Sequence, residues 1–351
     1  MPNWWLSAFN QKEPSAIEVK TIGLDLAKHI FQVHGVDAAG EVRITKRLRR
    51  NQLLEFFAGL RPCLVGVEAC PTAHYWGRKL KSLGHDVRLI PPQYVKPYVR
   101  RSKNDAMDAA AICEAVARPS MRFVPIKEPE QQAALMLHRT RDLIVRQRTQ
   151  LLNAFRSHAA EFGVIAPKGP QNVVTLLAAC EEARLPVLAL ELLRVLHRQI
   201  DEADARIEEI ETQISAWHKA NEVCRRLSSV PGIGPLTATA IAATVPDPGV
   251  FKSGREFAAW LGLTPRQNSS GGKDRLGRIT RKGNQHVRRL LIIGAHAALL
   301  NSRVLKATDW VQGMMQRRPR QVVAVALANK MARIAWALMA RGTSYKVAAA
   351  A

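Results

Sequence analysis

Asp25, Glu68, Asp105 and Asp108 are four carboxylates whose surroundings suit a metal site. Asp25 lies at the end of the apolar, β-branched run EVKTIGLDLA, and Glu68 at the end of LVGVE in RPCLVGVEAC. Strand ends at one edge of a sheet gather side chains from distant sequence into one cluster. Asp105 and Asp108, in KNDAMDAAAI, stand three apart and so share one face of an expected helix. Carboxylate oxygens are hard donors that suit Mg2+ or Mn2+, ions that also bind substrate phosphate. Two such ions about 4 Å apart clamp the attacking and leaving oxygens of an in-line displacement at phosphorus. Each residue has a plainer use as well: Asp105 could cap its helix, Asp25 could end a strand at a turn, and Glu68 could pair with an arginine. All four together, on the order of elements below, favour the metal reading.

The elements that must position these groups are legible in outline. Residues 18–45 read as three strands, EVKTIGLDLA, IFQVHGV and EVRITK, the last two separated by a DAAG turn. A helix over 51–59, a strand ending at Glu68, a helix over 73–83, the strand DVRLI and an alanine-rich helix over 104–117 follow. Hairpin strands followed by alternating helix and strand predict an α/β domain over 18–125, with a mixed sheet and helices on its faces. That order matches a ribonuclease-H-like arrangement better than a doubly wound one, and no glycine-rich phosphate loop supports the latter. Residues 1–17 form an extension with Trp4 and Trp5, to which no function is assigned.

A helical coiled-coil region is expected over 126–220. One long helix spans about 129–162. A second carries a seam of Leu193, Leu196, Ile200, Ala203, Ile207, Ile210, Ile214 and Trp217 at alternating spacings of three and four. Residues 163–170 would be the turn between them. The seam fits either a folded-back hairpin or pairing with another chain. A mostly helical C-terminal domain is expected over 221–345, with a short helix near 257–261 and apolar helices at 284–300 and 319–341.

The chain has 351 residues with 52 basic and 29 acidic side chains, a formal charge of +23. Residues 221–351 hold 21 basic against 5 acidic side chains, whereas residues 171–220 are net acidic. Lysine and arginine gain affinity for polyanions by releasing phosphate counterions, so the C-terminal third is the strongest nucleic-acid candidate. A merely solvated basic surface is the plain alternative. No apolar run approaches a membrane span, and the N-terminus does not read as a signal peptide. Five scattered cysteines without a CxxC pair suggest a reduced, cytoplasmic protein with no zinc site.

Two further constellations lie in that basic region. VPGIGPLTATAIAA is a helix-hairpin-helix candidate: Gly232 turns, Gly234 allows close approach, and Thr237 opens the next helix. Backbone amides there could hold a phosphate without reading sequence. The rival is an ordinary Pro-Gly turn between packed helices. The loop 264–284 presents Ser269, Ser270, Gly271 and Gly272 among Arg266, Lys273, Arg275, Arg278, Arg281 and Lys282. A serine on such a loop could attack phosphorus with guanidiniums neutralising charge. Composition alone favours a flexible basic loop that only touches phosphates. Lys103 and Arg288 complete the candidate phosphate contacts.

GLDLAK, GVEAC, KNDAMDA, SVPGIGPLTA, FAAWLGLTPRQNSSGGKDRLGRITRKGN and ANKMARIAWAL, in this order over about residues 18–341, resemble the transposases of the insertion-sequence family named for elements 110 and 1111, with the 1111 subgroup the closer. The resemblance implies a RuvC-like N-terminal domain whose DEDD tetrad falls on Asp25, Glu68, Asp105 and Asp108. It implies a nucleophilic serine at Ser270, with Ser269 the neighbouring candidate. It further implies tetramers in which the carboxylates of one subunit face the serine of another. An element-encoded bridge RNA would pair with both donor and target DNA, leaving the protein to grip backbone and shape. Two other readings are a hydrolytic junction nuclease that uses the carboxylates alone and a non-catalytic nucleic-acid-binding protein.

Overall fold

The computed structural model describes residues 18–99, 104–167, 169–273, 275–301 and 309–345. The extension 1–17 and Lys103 lie outside them. The chain divides into two compact units, residues 1–128 and 129–351.

In the first unit, strands β1 (Thr21–Asp25), β2 (Ile30–Val36), β3 (Val42–Arg49), β4 (Leu64–Glu68) and β5 (Asp86–Ile90) form one sheet in the order β3-β2-β1-β4-β5. β1, β2 and β3 run antiparallel, and β1, β4 and β5 run parallel, so the sheet is mixed as expected. Helices α1 (Leu53–Ala58), α2 (Ala73–Ser82), the short α3 (Pro92–Val95) and α4 (Asp105–Val116) complete the unit.

Side-chain alternation divides the faces. Ile22, Leu24, Val65 and Val67 point into a core with Phe57 of α1 and Trp76 and Leu80 of α2. The intervening positions, Gly23 and Gly66, meet α4. A Cβ at Gly23 would sit 2.0 Å from the Ala109 carbonyl oxygen, and one at Gly66 2.7 Å from the Val116 Cβ. Only glycine lets this helix lie directly on the strand backbones.

The second unit begins with α5 (Pro129–Glu161), α6 (Val173–Glu182) and α7 (Val187–Ala220). Ion pairs Arg141–Glu211 and Arg148–Asp204 show that α5 and α7 pack antiparallel. Within the anticipated seam Leu193, Ile200, Ala203, Ile207 and Ile214 are buried. The expected single turn at 163–170 is corrected: α6 stands between the long helices. Its Val173, Leu176 and Cys180 fill a core with Phe155 and Leu193.

The remaining elements are α8 (Glu222–Leu227), α9 (Pro235–Thr244), α10 (Gly254–Trp260), the two-stranded sheet of β6 (Pro265–Gln267) and β7 (Leu276–Ile279), α11 (Gln285–Asn301), α12 (Asp309–Arg317) and α13 (Arg320–Arg341). Among the described residues α13 alone is long and apolar enough to cross a membrane by length and composition. Here Leu327, Met331 and Ala335 pack it into a core with Phe257, Leu261 and Leu291.

Candidate functional site

The sheet register explains how two remote carboxylates become neighbours. Leu24 pairs with Val67 in the parallel β1–β4 ladder, so Asp25 and Glu68 follow on adjacent strands at the same sheet edge. Leu24 and Val67 fill the α1/α2 core, which turns the next residue of each strand to the α4 face. There α4 presents its first turn. Asn104 supplies the cap, its side chain accepting from the Ala106 amide at 3.0 Å. Asp105 is therefore not the capping residue, and its carboxylate is left for another use.

Ligand oxygens of Asp25, Asp105 and Asp108 lie within 4.8 Å of one another. Among the described residues none of the three has an ion-pair partner. Asp25 reports the resulting field. Burial, then the charges of Asp108, Asp105 and Glu68, push its carboxyl from the ordinary 3.8 to about 6, against a hydrogen bond from the Leu26 backbone. Glu68 lies outside the tight group of three but within the same field. The Cys70 thiol is pushed up by burial and then by Glu68 and Asp25.

The hard oxygen donors of Asp25, Asp105 and Asp108, with no ion-pair partner among the described residues, fit a divalent cation such as Mg2+. The helix dipole adds a smaller favourable contribution for the two carboxylates in the first turn of α4. The proton affinity of Asp25 is raised where three carboxylates meet, the kind of perturbation that is common at functional sites.

The serine segment differs from the expected loop: it is a β-hairpin. β6 and β7 pair, and the bridge Ser270–Lys273 closes a two-residue turn, with the Lys273 amide donating to the Ser270 carbonyl at 3.1 Å. Gly271 and Gly272 both have positive φ, 56° and 74°, as a type I′ hairpin turn requires. The hairpin separates the two serines. Both are exposed; Ser269 Oγ accepts from the Arg275 amide at 3.2 Å, and Ser270 stands beside the turn. Arg266, Lys273, Arg275, Arg278, Arg281 and Lys282 are all exposed around it. Arg288 is different, being 8 % exposed and donating to the Leu261 and Lys282 carbonyls at 2.8 and 2.7 Å. It ties down the base of the hairpin and does not face solvent.

At the α8–α9 turn, Gly232 has φ of 90° and lies against the Gly294 carbonyl of α11, so the close approach belongs to Gly232. Gly234 instead faces open space as the N-cap of α9. Thr237 is buried at 6 % exposure, which leaves backbone amides as the polar groups this turn can offer. Sequence reading missed Gly23, Gly66 and Gly294 as positioning residues. The signal for the first two was present, since a glycine inside an apolar strand marks close approach of another backbone.

A mixed-sheet α/β unit with a carboxylate cluster at a strand edge, in a strongly basic chain, fits the class of metal-assisted enzymes of phosphate chemistry. Comparison with known proteins narrows it. A family profile described as "Transposase IS116/IS110/IS902 family" matches residues 224–308, and the DEDD transposase profile of IS110 elements, described as "Transposase", matches 22–163. A "Probable family 20 transposase" of Pseudomonas aeruginosa is 51 % identical over 94 % of this chain and 99 % of its own. The "Transposase for insertion sequence element IS1328" of Yersinia enterocolitica is 41 % identical over 93 % and 98 %, respectively. The "Transposase for insertion sequence element IS1111A" of Coxiella burnetii is 39 % identical over 98 % and 96 %. The chain belongs to the DEDD transposases of the IS110/IS1111 insertion-sequence family and is an enzyme that acts on DNA.

Proposed function

We propose that this chain cuts and rejoins DNA with the quartet Asp25, Glu68, Asp105 and Asp108 as its metal site and Ser270 as its nucleophile. The observation that carries the reading is the convergence of Asp25, Asp105 and Asp108 oxygens within 4.8 Å, with the proton affinity of Asp25 raised to about 6. The strand order β3-β2-β1-β4-β5 supports a RuvC-like, ribonuclease-H-like unit.

Bound Mg2+ or Mn2+ would neutralise charge on the scissile phosphate and lower the pKa of coordinated oxygens. The protein's own residues do the rest. Ser270 Oγ attacks phosphorus and gives up its proton, while the displaced DNA oxygen leaves as a hydroxyl. The resulting phosphoseryl link conserves the bond energy needed for rejoining. Position next to the hairpin turn, with Ser269 engaged by the Arg275 amide, favours Ser270 as the attacking group. Lys273 and Arg275 stand nearest it on the hairpin to meet the developing negative charge, and Arg266, Arg278, Arg281 and Lys282 lie exposed farther toward the base. Amides near Gly232, Gly234 and Thr237 would hold a flanking phosphate in the manner of a helix-hairpin-helix. Arg288 acts by positioning the hairpin. Lys103 stays a candidate phosphate contact from sequence alone.

The protein works in the cytoplasm as a homo-oligomer, a tetramer in which one subunit's carboxylates act with another subunit's serine. An element-encoded bridge RNA selects donor and target DNA. Few aromatic residues, 6 % of the chain, suit a protein that grips backbone and leaves base reading to RNA. The test is cleavage of element-end DNA with Mg2+ and the flanking RNA, followed by mass spectrometry of protein–DNA adducts. S270A abolishes cleavage and adduct under this reading. Cleavage that survives S270A but not D25N establishes the hydrolytic nuclease instead.

A further inference from the structure

The same sheet face that carries the carboxylates continues into a cationic strip on β3. In the register Asp25 pairs with Gln32, and Gln32 pairs with Arg47. Glu68, Asp25, Gln32 and Arg47 thus form one row across four strands. Leu48 is buried in the α1/α2 core, so Arg47 and Arg49 project to the opposite face, the face of α4 and the carboxylates. With strands about 4.8 Å apart, the backbone of Arg47 lies about 10 Å from that of Asp25.

Five basic side chains crowd residues 43–50, and three have identifiable partners. Arg43 is held by Asp37 at 2.6 Å. Lys46 lies over the Phe56 ring, and Arg50 lies over Phe31 and Trp76. Arg47 and Arg49 are exposed and, among the described residues, meet neither a carboxylate nor an aromatic ring. Charges on an edge strand also discourage strand addition between molecules. That need is served by any of the five and does not explain why the two unpaired cations share the carboxylate face. Residues two apart on a strand are about 7 Å apart, a spacing suited to neighbouring phosphates of one nucleic-acid strand. Arg49 also lines a groove with His29, Ile30, Arg50 and Asn51.

We propose that Arg47 and Arg49 bind two phosphates of the DNA strand whose scissile phosphate sits at the carboxylates, and so set that strand's register. They are positioning residues, acting on the DNA and not on the reacting atoms. The inference rests on the metal-site reading above. DNA is the ligand because the strip continues the face of the carboxylate site in an enzyme that acts on DNA.

The test compares wild type, R47Q/R49Q, R47K/R49K, K46Q and D25N, all full length. Each binds a fluorescent 30-base-pair DNA duplex in EDTA across a salt series, with a 30-nucleotide RNA hairpin in a parallel arm. Element-end DNA is then cleaved with Mg2+ and flanking RNA. Losing two phosphate contacts lowers the slope of log K against log salt by about 2 for DNA. R47Q/R49Q weakens DNA binding about tenfold or more at moderate salt and shifts or scatters the cut positions. R47K/R49K restores the slope, K46Q leaves it unchanged, and Mg2+ still raises the melting temperature of R47Q/R49Q. An unchanged DNA slope overturns the proposal, as does a loss confined to RNA or an equal loss in K46Q. If D25N also cleaves normally, the metal-site reading has failed; if D25N is inactive and R47Q/R49Q behaves as wild type, only the strip has failed.

Discussion

Replacing Asp25 by asparagine makes the metal-free protein more stable while destroying its response to metal. Asp25 holds its proton to about 6 in the folded unit against an ordinary 3.8, a difference of about 2 pH units. At roughly 1.36 kcal/mol per unit, the folded state carries about 3 kcal/mol of unfavourable energy once Asp25 is ionised. The carboxylate is only partly buried, and solvent screening reduces this to about 1–2 kcal/mol. The direction follows from linkage: a raised carboxyl pKa favours folding at acid pH, and the benefit is lost as pH rises from about 4 to about 6. Above that window wild type bears the whole cost, and D25N, with a neutral side chain of the same shape, bears none. In EDTA at pH 7.5, D25N should therefore unfold about 3–6 °C higher than wild type, measured by differential scanning calorimetry. Magnesium at about 100 times its Kd should stabilise wild type by about 2.7 kcal/mol and D25N far less. Equal melting temperatures in EDTA, or an undiminished magnesium shift in D25N, would refute the reasoning.

Four other outcomes follow from the same structure. G23A places a methyl group 2.0 Å from the Ala109 carbonyl, so α4 must lift; we expect about 3 kcal/mol of destabilisation or more by urea unfolding, with the magnesium shift lost. D25N and S270A are each inactive alone, and their mixture regains cleavage if site and serine come from different subunits; a mixture as dead as its parts rules that arrangement out. S269A should keep the covalent adduct at reduced yield, because it loses the Arg275 contact while leaving Ser270 in place; a S269A protein without adduct transfers the nucleophile's role to that residue. His138 is 2 % exposed, accepts or donates at 3.0 Å with Thr239, and is pushed down to about 4 by burial, His286 and Arg141. Its neutral form supports folding above the ordinary 6.5, and that support falls as pH drops towards 4. Relative to H138L, wild type should lose about 2–3 kcal/mol between pH 7 and pH 4.5 in denaturant titrations.

The first unit was readable because its residues obey strict local rules. Apolar strands bounded by turns, and an alanine-rich helix capped by Asn104, fixed every element that carries a carboxylate. The convergence of Asp25 with Asp105 and Asp108 needed the register and the glycine contacts, which depend on residues far apart in sequence. The second unit was less legible. Helix α6 is short, and apolar Val174, Leu177, Ala178 and Ala179 stand beside its buried stripe of Val173, Leu176 and Cys180, so the helical period is masked in the sequence. The serine hairpin reads as a loop in the sequence because its strands are three and four residues long and exposed, without apolar alternation. The Gly271–Gly272 pair between Ser270 and Lys273 is nevertheless a recognisable two-residue hairpin signal. Arg288 misled because composition alone cannot tell a cation that serves carbonyls from one that faces solvent.

Gly23 and Gly66 leave α4 resting on bare backbone, with no side-chain layer between helix and strands to absorb error. Any change in the twist of β1 against β4 is therefore passed undamped to Asp105 and Asp108. Distant core substitutions that bend the sheet, such as enlarging Val65 or Val67, should detune the metal geometry before they unfold the protein. The geometry of the acidic cluster is thus held in the curvature of the sheet as much as in the acids themselves.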